Sequence, residues 1–466
     1  MNILNRLTAY LTETDFASLP ADVVEITRKQ VLDTLAATVA GTTCSVAGEM
    51  NGLFEMVRDW GGKEESTILG FGGRVPAPNA ALVNAVSSVR LDFDDTLVTF
   101  INLHASRVIL PVAMAMAERQ GNISGRELIT AVALGFDIDT RLKQASGGNH
   151  DFPLMISSNF FGAAAVAARL LKLDKKKSGN ALFLAMHQMC GAGATEIDGE
   201  SASSGLKGLS NGLAAKAGIV GALLAEKGFM GSPSFLEPEN KSNYYATYCG
   251  GSYQPWLLTK DLGKTYAASE AAQKEYPCCH GQHASIEAAL DIMQERNLKP
   301  EDVAEVTLRI SQFDSVILAE PLERKRDPRN VIETQFSLCW GVASAIVLGR
   351  VDIDNFSAKA LHNAKIREMA HKVTPKVDNT MTREYGFKPA VAEIKTKDGK
   401  VYSKQVDAPW GTPGNSMSFD DIVKKFGECC KYSVRPIPVK NQNAVIKLVQ
   451  NLEEVEDAGS IARLLG

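Results

Sequence analysis

Three aspartates, Asp92, Asp94 and Asp95, lie within four positions of one another, and His104 and Arg107 follow shortly after them. Carboxylates this close together repel one another unless something compensates for their charge. A histidine exchanges protons near neutral pH, and an arginine can hold a carboxylate with two parallel hydrogen bonds. We interpret the segment as a cluster for acid–base chemistry that also orients an anionic substrate.

Two other interpretations of the aspartates remain open. The segment is similar to the aspartate-rich Mg²⁺ motif of isoprenoid synthases, although the sequence has no second acidic motif to hold further metal. Exposed aspartates also serve as helix caps. His104 precedes an apolar helix predicted from Val108, and a helix N-terminus lowers the pKa of a histidine and favours its neutral form. A lone arginine such as Arg107 is equally compatible with a surface position.

A second segment places Lys207 among glycines. We predict that this lysine lies in a loop, and that a helix begins just after it, at Ser210, and runs to about Glu226. A positive charge beside the free N–H groups of a helix start is suited to binding an anion. Burial in a cleft would lower the pKa of the lysine and make it a base, whereas a solvated loop lysine would have no such role.

A third segment, Lys-Glu-Tyr-Pro-Cys-Cys-His-Gly-Gln-His, runs from Lys274 to His283. Two cysteines and two histidines suggest zinc, but adjacent cysteines are awkward ligands and no C-x-x-C pair accompanies them. His280 or His283 is also a candidate cap for a helix predicted over residues 282–295. A reactive thiolate at Cys278 or Cys279 is a further alternative.

Helices must position the first two segments. Apolar spacing predicts helices over nearly all of the first 260 residues, and the alanines at 163–165 predict close helix packing. The predicted helices cover residues 1–13, 23–40, 77–89, 108–119, 125–142, 161–171, 181–190 and 210–226. The aspartate cluster thus follows the end of one helix, and His104 precedes the start of the next.

The pattern changes near residue 265. Residues 303–310 alternate and predict a strand, and residues 390–406 predict a hairpin around Asp398-Gly399. Further helices are predicted over residues 282–295, 334–348, 420–431 and 445–452. We therefore expect a mainly α fold with a large helical domain, residues 1–268 and 409–466, and a smaller α+β lid domain, residues 269–408.

Composition narrows the class of protein. The chain has 466 residues, 45% apolar and 22% charged, with a net charge of −4, as expected for two or three globular domains. It has no basic stripe and no apolar run of the ~18 residues that span a bilayer, so we expect neither nucleic acid nor membrane as a partner. Eight scattered cysteines indicate a reducing, cytoplasmic compartment.

Several common enzyme motifs are absent from the sequence, namely Walker A, G-x-S-x-G and H-E-x-x-H. Gly191-Ala192-Gly193 has no third glycine, which disfavours dinucleotide binding.

Taken in order, several segments resemble the MmgE/PrpD family, whose members include 2-methylcitrate dehydratase, cis-aconitate decarboxylase and iminodisuccinate epimerase. The similarity covers nearly the whole chain. It rests on Leu19-Pro20, residues 31–35, residues 91–96 with His104, Gly162-Ala163-Ala164-Ala165, Lys207 with Ala214-Ala215, Gly228-Phe229, Lys274-x-Tyr276-Pro277-Cys278 with His283, Gln335-Phe336-Ser337, Trp410-Gly411-Thr412-Pro413 and Lys425-Phe426.

The resemblance implies a helical domain built from both chain ends, an α+β lid, an active site in the cleft between them, and a homodimer that uses neither a metal nor an organic cofactor. By motif match, the family's catalytic and binding residues correspond to Asp92, Thr96, His104, Lys207 and Lys274. We add His283 as a catalytic candidate, and as substrate-binding candidates Arg107, His280, Ser210 and Tyr276.

The sequence departs from the family pattern in several places. In the dehydratase and decarboxylase motifs a histidine and often an arginine follow the first lysine, whereas residues 209–213 here are Leu-Ser-Asn-Gly-Leu. His104 is followed by alanine instead of proline. Two residues are added between Thr96 and His104, and a histidine expected near Pro153 is missing, with His150 close but out of register. Dehydration needs an acid to protonate the departing hydroxyl group, whereas epimerisation needs only removal and return of a proton. We therefore predict an epimerase of the iminodisuccinate type, acting on a small amino-linked dicarboxylate.

In this hypothesis Lys207 and Lys274 bind carboxylates or one of them acts as base. His104 and either His280 or His283 exchange protons on opposite faces of the substrate. Lysine charge and helix-terminus N–H groups stabilise the developing enolate-like charge. The alternatives are a 2-methylcitrate-type hydro-lyase, a cis-aconitate-type decarboxylase and, outside the enzymes, a helical scaffold or binding protein.

Overall fold

The computed structural model describes residues 2–44, 48–97, 103–146, 154–189, 206–381 and 389–466, with backbone alone for residues 154–157 and 207. Helices dominate this part of the chain. In chain order they are α1 Ile3–Glu13, α2 Ala21–Gly41, α3 Glu49–Asp59, α4 Ala77–Val89, α5 Ser106–Gln120, α6 Gly125–Ala145, α7 Leu154–Leu170, α8 Lys175–Met186, α9 Leu206–Glu226, α10 Tyr244–Tyr248, α11 His283–Glu295, α12 Gln312–Leu318, α13 Leu322–Arg326, α14 Val331–Gln335, α15 Leu338–Leu348, α16 Ala358–Leu361, α17 Ala364–Lys372, α18 Phe419–Cys430, α19 Val439–Gln450 and α20 Gly459–Arg463.

Helix α9 lies at the centre of the helical part, packed on α4, α7 and α8. Small residues let the backbones approach, because a Cβ atom at Gly212 would lie 2.6 Å from Val86 Cγ2, and one at Gly218 would lie 2.3 Å from Ala163 Cβ. The close packing predicted from alanine-rich stretches is therefore confirmed. By length and composition the stretch Gly208–Glu226 could cross a membrane, but most of it is buried among the neighbouring helices, as is usual for a core helix.

The α+β part contains a four-stranded sheet. Its strands are β5 Val303–Ile310, β6 Val373–Val377, β7 Ala390–Thr396 and β8 Val401–Val406, arranged in the order β6-β5-β7-β8. β5 runs parallel to β6 and antiparallel to β7, and β7 pairs with β8 as the predicted hairpin. Helix α11 covers β7 and β8.

Shorter strands tie distant segments of the helical part. They are β1 Ser66–Thr67, which pairs with β2 Arg74–Val75, and β3 Thr96–Leu97, which pairs with β4 Ala271–Ala272. Thr96, itself buried, stands opposite Ala272 in the second pair. This pairing fixes the distance between the end of the aspartate segment and the chain that leads to Lys274.

The buried apolar side chains form two separate clusters. The first combines residues from the first 271 positions with Phe426, Leu452 and Ile461 near the chain end. The second runs from Cys278 to Val406. Helix α18 packs against α2, so the last helices complete the first cluster.

Several helix predictions were wrong in detail. Helices α7, α8 and α19 begin six or seven residues before their predicted starts. The helix predicted from Ser210 begins at Leu206, so Lys207 lies in the first helical turn and not in a loop. Gly208 is accommodated there because a Cβ atom would lie 3.2 Å from Val86 Cγ1, a close approach that suits glycine. The single helix predicted over residues 334–348 is divided into α14 and α15, and the Ser337 side chain caps the second by accepting the Trp340 N–H.

Candidate active site

The aspartate segment enters the protein through a sharp turn after α4. The backbone N–H of Asp92 donates to Val89 O, and Asp92 has a φ of +48°, a left-handed conformation that few non-glycine residues adopt. The turn directs the segment inward, and the exposed fractions of Asp92, Asp94 and Asp95 are 2%, 0% and 0%. The interpretation of these residues as exposed helix caps is therefore wrong.

Lys274 meets Asp92 inside the protein. Its Nζ donates to Asp92 Oδ2 at 2.9 Å and to Asp92 O at 2.7 Å, although the two residues are 182 positions apart. Burial disfavours the charged form of Lys274, but the carboxylates of Asp92 and Asp94 outweigh this and raise its pKa. Lys274 is therefore a cation at neutral pH, which favours binding or donating to an anion over acting as a base.

Asp94 lies beside a histidine N–H and an arginine. Its Oδ2 lies 3.3 Å from His104 Nδ1 and 3.5 Å from Arg107 Nη1. Burial alone would raise the pKa of Asp94, but the nearby Lys274 together with His104 and Arg107 holds it below its ordinary value. Arg107 is buried, so its interpretation as a surface arginine is wrong.

His104 has a defined tautomer. Its Nδ1 lies 2.6 Å from the carbonyl oxygen of Asp95, and a carbonyl can only accept, so we assign the proton to Nδ1 and the free lone pair to Nε2. Burial and the charge of Arg107 lower the pKa of His104 to about 4, although Asp94 acts in the opposite direction. The imidazole is neutral, as the sequence predicted, with burial and Arg107 as the main causes. Its side chain is 13% exposed, whereas that of Asp94 is fully buried.

Asp95 differs from its neighbour because it keeps a proton. Burial, with the charges of Asp94 and Asp33, raises the pKa of Asp95 to about 8. Its Oδ1 accepts the backbone N–H of Ser106 at 3.2 Å, at the start of α5. At neutral pH this group therefore holds a neutral carboxylic acid within the same cluster as a neutral imidazole.

Helix α9 approaches His104 through two asparagines that the sequence analysis did not single out. Asn159 Nδ2 lies 3.4 Å from His104 O and 3.4 Å from Asn211 Oδ1. Asn211 is one helical turn after Lys207, whose side chain lies outside the described residues. The hydroxyl of Ser210 donates to Leu206 O within the same helix at 3.1 Å.

His280, His283 and Tyr276 form a second, aromatic group. The imidazole rings of His280 and His283 are 4.9 Å apart, and the ring of Tyr276 lies 5.0 Å from that of His283. Both histidines are buried, at the short 3₁₀ turn His280–Gln282 and at the first residue of α11. The structure thus joins Asp92, Lys274 and Asp94 with His104 and Arg107 in one group, and places the two later histidines with Tyr276 in another.

The other sequence hypotheses for these segments find less support. Burial raises the pKa of Cys278 well above its ordinary value, which disfavours a thiolate there. Among residues with described positions, no group of three or more His, Cys, Asp or Glu side chains is arranged to hold a metal ion. His150, Pro153 and the two residues inserted before His104 lie outside the described residues.

Sequence analysis missed Asp33 and Lys425 as parts of the site. Lys425 Nζ lies 2.7 Å from Asp33 Oδ1 and donates to Phe93 O and Lys274 O, each at 2.9 Å. The available signal for Asp33 was a carboxylate inside the apolar run Val-Leu-Asp-Thr-Leu, where an unpaired charge would be costly.

Comparison with known proteins gives matches over almost the whole chain. Residues 5–255 match the MmgE/PrpD N-terminal domain, and residues 276–454 match the MmgE/PrpD C-terminal domain. The chain is 27% identical over 458 residues to a cis-aconitate decarboxylase of Homo sapiens, covering 95% of this chain and 90% of that protein. It is 26% identical over 466 residues to a cis-aconitate decarboxylase of Mus musculus, covering 95% and 89%. It is 25% identical over 488 residues to a cis-aconitate decarboxylase-like protein of Aspergillus oryzae, covering 100% and 97%.

Proposed function

The chain belongs to the MmgE/PrpD family, and from that premise we propose that it is a decarboxylase acting on a small unsaturated polycarboxylate of the cis-aconitate type. Relatives that carry this activity in their names align with 95% of the chain. The observation that carries the proposal is chemical: a neutral imidazole, a neutral carboxyl group and a buried ammonium ion meet in one cluster. The epimerase favoured by the sequence departures becomes the second candidate.

Decarboxylation of such a substrate needs one proton. The bond between a CH₂ group and its carboxylate breaks and CO₂ leaves. The electron pair forms a new terminal double bond, and the former vinylic carbon takes up a proton. The protein must therefore hold the remaining carboxylates, stabilise the negative charge that spreads towards them, and deliver a proton to carbon.

The described residues supply these three roles. Among the described residues, Asp92 takes two of the three N–H donors of Lys274, and in this proposal the third binds a substrate carboxylate. An anion bound beside His104 would raise the pKa of the imidazole and favour proton uptake. Asp95 holds the proton that the reaction requires at neutral pH.

The same cluster also suits the second candidate. A neutral imidazole can remove a proton from carbon beside a carboxylate, and a neutral carboxyl group can return one. Residues 209–213 carry no histidine, and Asn211 stands in the part of α9 that approaches His104. Because the dehydratase and decarboxylase motifs both carry a histidine there, this departure favours the epimerase, whereas decarboxylation is supported by the named relatives.

One NMR experiment separates the candidates. The protein is incubated in D₂O with cis-aconitate, with 2-methylcitrate and, separately, with iminodisuccinate. We expect terminal alkene signals and CO₂ from cis-aconitate alone, with one deuterium at the new sp³ carbon. Deuterium at a stereocentre of iminodisuccinate without alkene would replace the proposal by the epimerase, and alkene from 2-methylcitrate would replace it by the hydro-lyase. The variant Lys274→Met is the control for contaminating activity.

A further inference from the structure

Lys425 joins three distant parts of the chain at a single atom. It lies on α18, is 9% exposed, and its Nζ contacts Asp33 on α2, Phe93 in the aspartate segment and Lys274. The Nζ also lies 3.6 Å from the centroid of the Phe93 ring. An ammonium group has three N–H donors, and here three acceptors lie within 2.9 Å. The ammonium group of Lys425 is therefore surrounded by protein oxygen atoms.

The acceptors of Lys425 flank the Asp92–Lys274 ion pair. One acceptor is the carbonyl oxygen of Phe93, the residue after Asp92, and the other is the carbonyl oxygen of Lys274. One cation thus fixes the main chain on both sides of the 2.9 Å contact between Lys274 Nζ and Asp92 Oδ2. A small displacement of either main-chain segment would move the ammonium group of Lys274.

Asp33 anchors Lys425 from the opposite side. Its side chain is fully buried, and α2, which carries it, packs against α18. Its carboxylate also acts on the acid–base cluster at a distance, since it is among the charges that raise the pKa of Asp95. Burying an ion pair gives little net stability compared with apolar packing, so stability alone does not account for the arrangement.

We propose that Lys425 and Asp33 are positioning residues, which hold the Asp92–Lys274 ion pair in the geometry that the reaction needs without touching the substrate. The inference rests on the proposed function for its turnover readout. Its structural readout, local backbone order around residues 91–96 and 271–276, requires no substrate.

The test compares Lys425→Met with Lys424→Met. Lys424 is the preceding residue on the same helix, its side chain is 76% exposed, and its ion pair with Asp421 contributes little. In Lys425→Met we expect amide hydrogen exchange in both segments to rise at least about tenfold, and kcat to fall about 100-fold while KM changes less than about threefold. Lys424→Met should match the unchanged protein in both measurements, and Lys425→Arg should recover part of kcat.

Each remaining outcome decides between explanations. Exchange in the two segments that stays unchanged in folded Lys425→Met would overturn the proposal, whatever the turnover. A rise in exchange with no decarboxylation by the unchanged protein would remove the proposed function and keep the positioning role. If Lys425→Met does not fold, the double variant Lys425→Met/Asp33→Asn is tested in its place, because it also removes the buried carboxylate that would lack a partner. If the double variant does not fold either, the role of the pair is structural and the proposal is refuted.

Discussion

Asp94 and Asp95 are adjacent in the chain and both fully buried, yet one is held as an anion and the other keeps a proton. The difference follows from their neighbours. Asp94 is within 3.5 Å of His104 and Arg107, whereas Asp95 accepts one backbone N–H and experiences the charges of Asp94 and Asp33. Two carboxyl groups with opposite protonation states are a means of assigning separate roles in acid–base chemistry.

The pH dependence of turnover follows from this division. The pKa of Asp95 is raised to about 8 and that of His104 is lowered to about 4. We expect kcat/KM to be level between about pH 4 and pH 8 and to fall above pH 8 as Asp95 loses its proton. Steady-state rates across this range check the prediction.

Asp95→Asn tests whether Asp95 gives up its proton or only needs to be neutral. The amide is neutral at every pH but cannot act as an acid, so we expect turnover to fall without an alkaline limb. Wild-type turnover in Asp95→Asn at pH 7 would show that Asp95 serves only as a neutral neighbour of Asp94.

Loss of Lys274 should affect stability and turnover separately. Lys274→Met leaves Asp92 buried without its partner, which we expect to cost about 3–5 kcal/mol in the free energy of unfolding. Lys274→Met/Asp92→Asn should recover most of that stability but no activity, because the substrate has lost its cation. Urea unfolding and the NMR assay measure the two effects, and recovery of activity in the double variant would contradict the role of Lys274.

His104 is expected to matter for chemistry much more than for folding. His104→Asn removes the Nε2 lone pair, and we expect kcat to fall about 10²–10⁴-fold with little change in melting temperature. His371→Asn is the matched control, since His371 is a half-exposed histidine paired with Asp327 on the α+β part. Equal effects of the two substitutions on kcat would rule out His104 as a proton-transfer group.

The close packing of α9 predicts that an added methyl group on this helix lowers the stability of the protein. A Cβ atom at Gly212 would lie 2.7 Å from Leu82 O as well as close to Val86, so Gly212→Ala should cost about 1–3 kcal/mol of unfolding free energy. Gly52 on α3 has open space around it, and Gly52→Ala should instead stabilise by about 0.5–1 kcal/mol. Thermal unfolding distinguishes the two, and a gain from Gly212→Ala would contradict the packing described.

The sequence predicted the elements and several partners but not the electrostatics. Helix α4, strand β5 and the β7–β8 hairpin were predicted from periodicity, because burial of one face dictates the spacing of apolar residues. The start of α9 was wrong because glycines that usually end a helix are tolerated where a neighbouring backbone is close. The difference between Asp94 and Asp95 depends on which cations lie within a few ångströms.

Asp33 and Lys425 illustrate the same limit. Each stands in a helix, and the spacing of apolar residues around it is also compatible with an ordinary polar position. The two residues are 392 positions apart. Their pairing depends on how α2 and α18 pack, which no local pattern contains. Lys274 was easier, because its surrounding motif is itself distinctive.

Lys274 is attached to the helical half of the molecule although its chain continues into the other half. Asp92, Lys425 and the β3–β4 pairing hold it from one side, and the second apolar cluster begins only at Cys278. Any hinge motion between the halves must therefore pivot after Lys274. In such a motion the ammonium group of Lys274 would stay with Asp92, and the imidazole rings of His280 and His283, which lie beyond the pivot, would move relative to it.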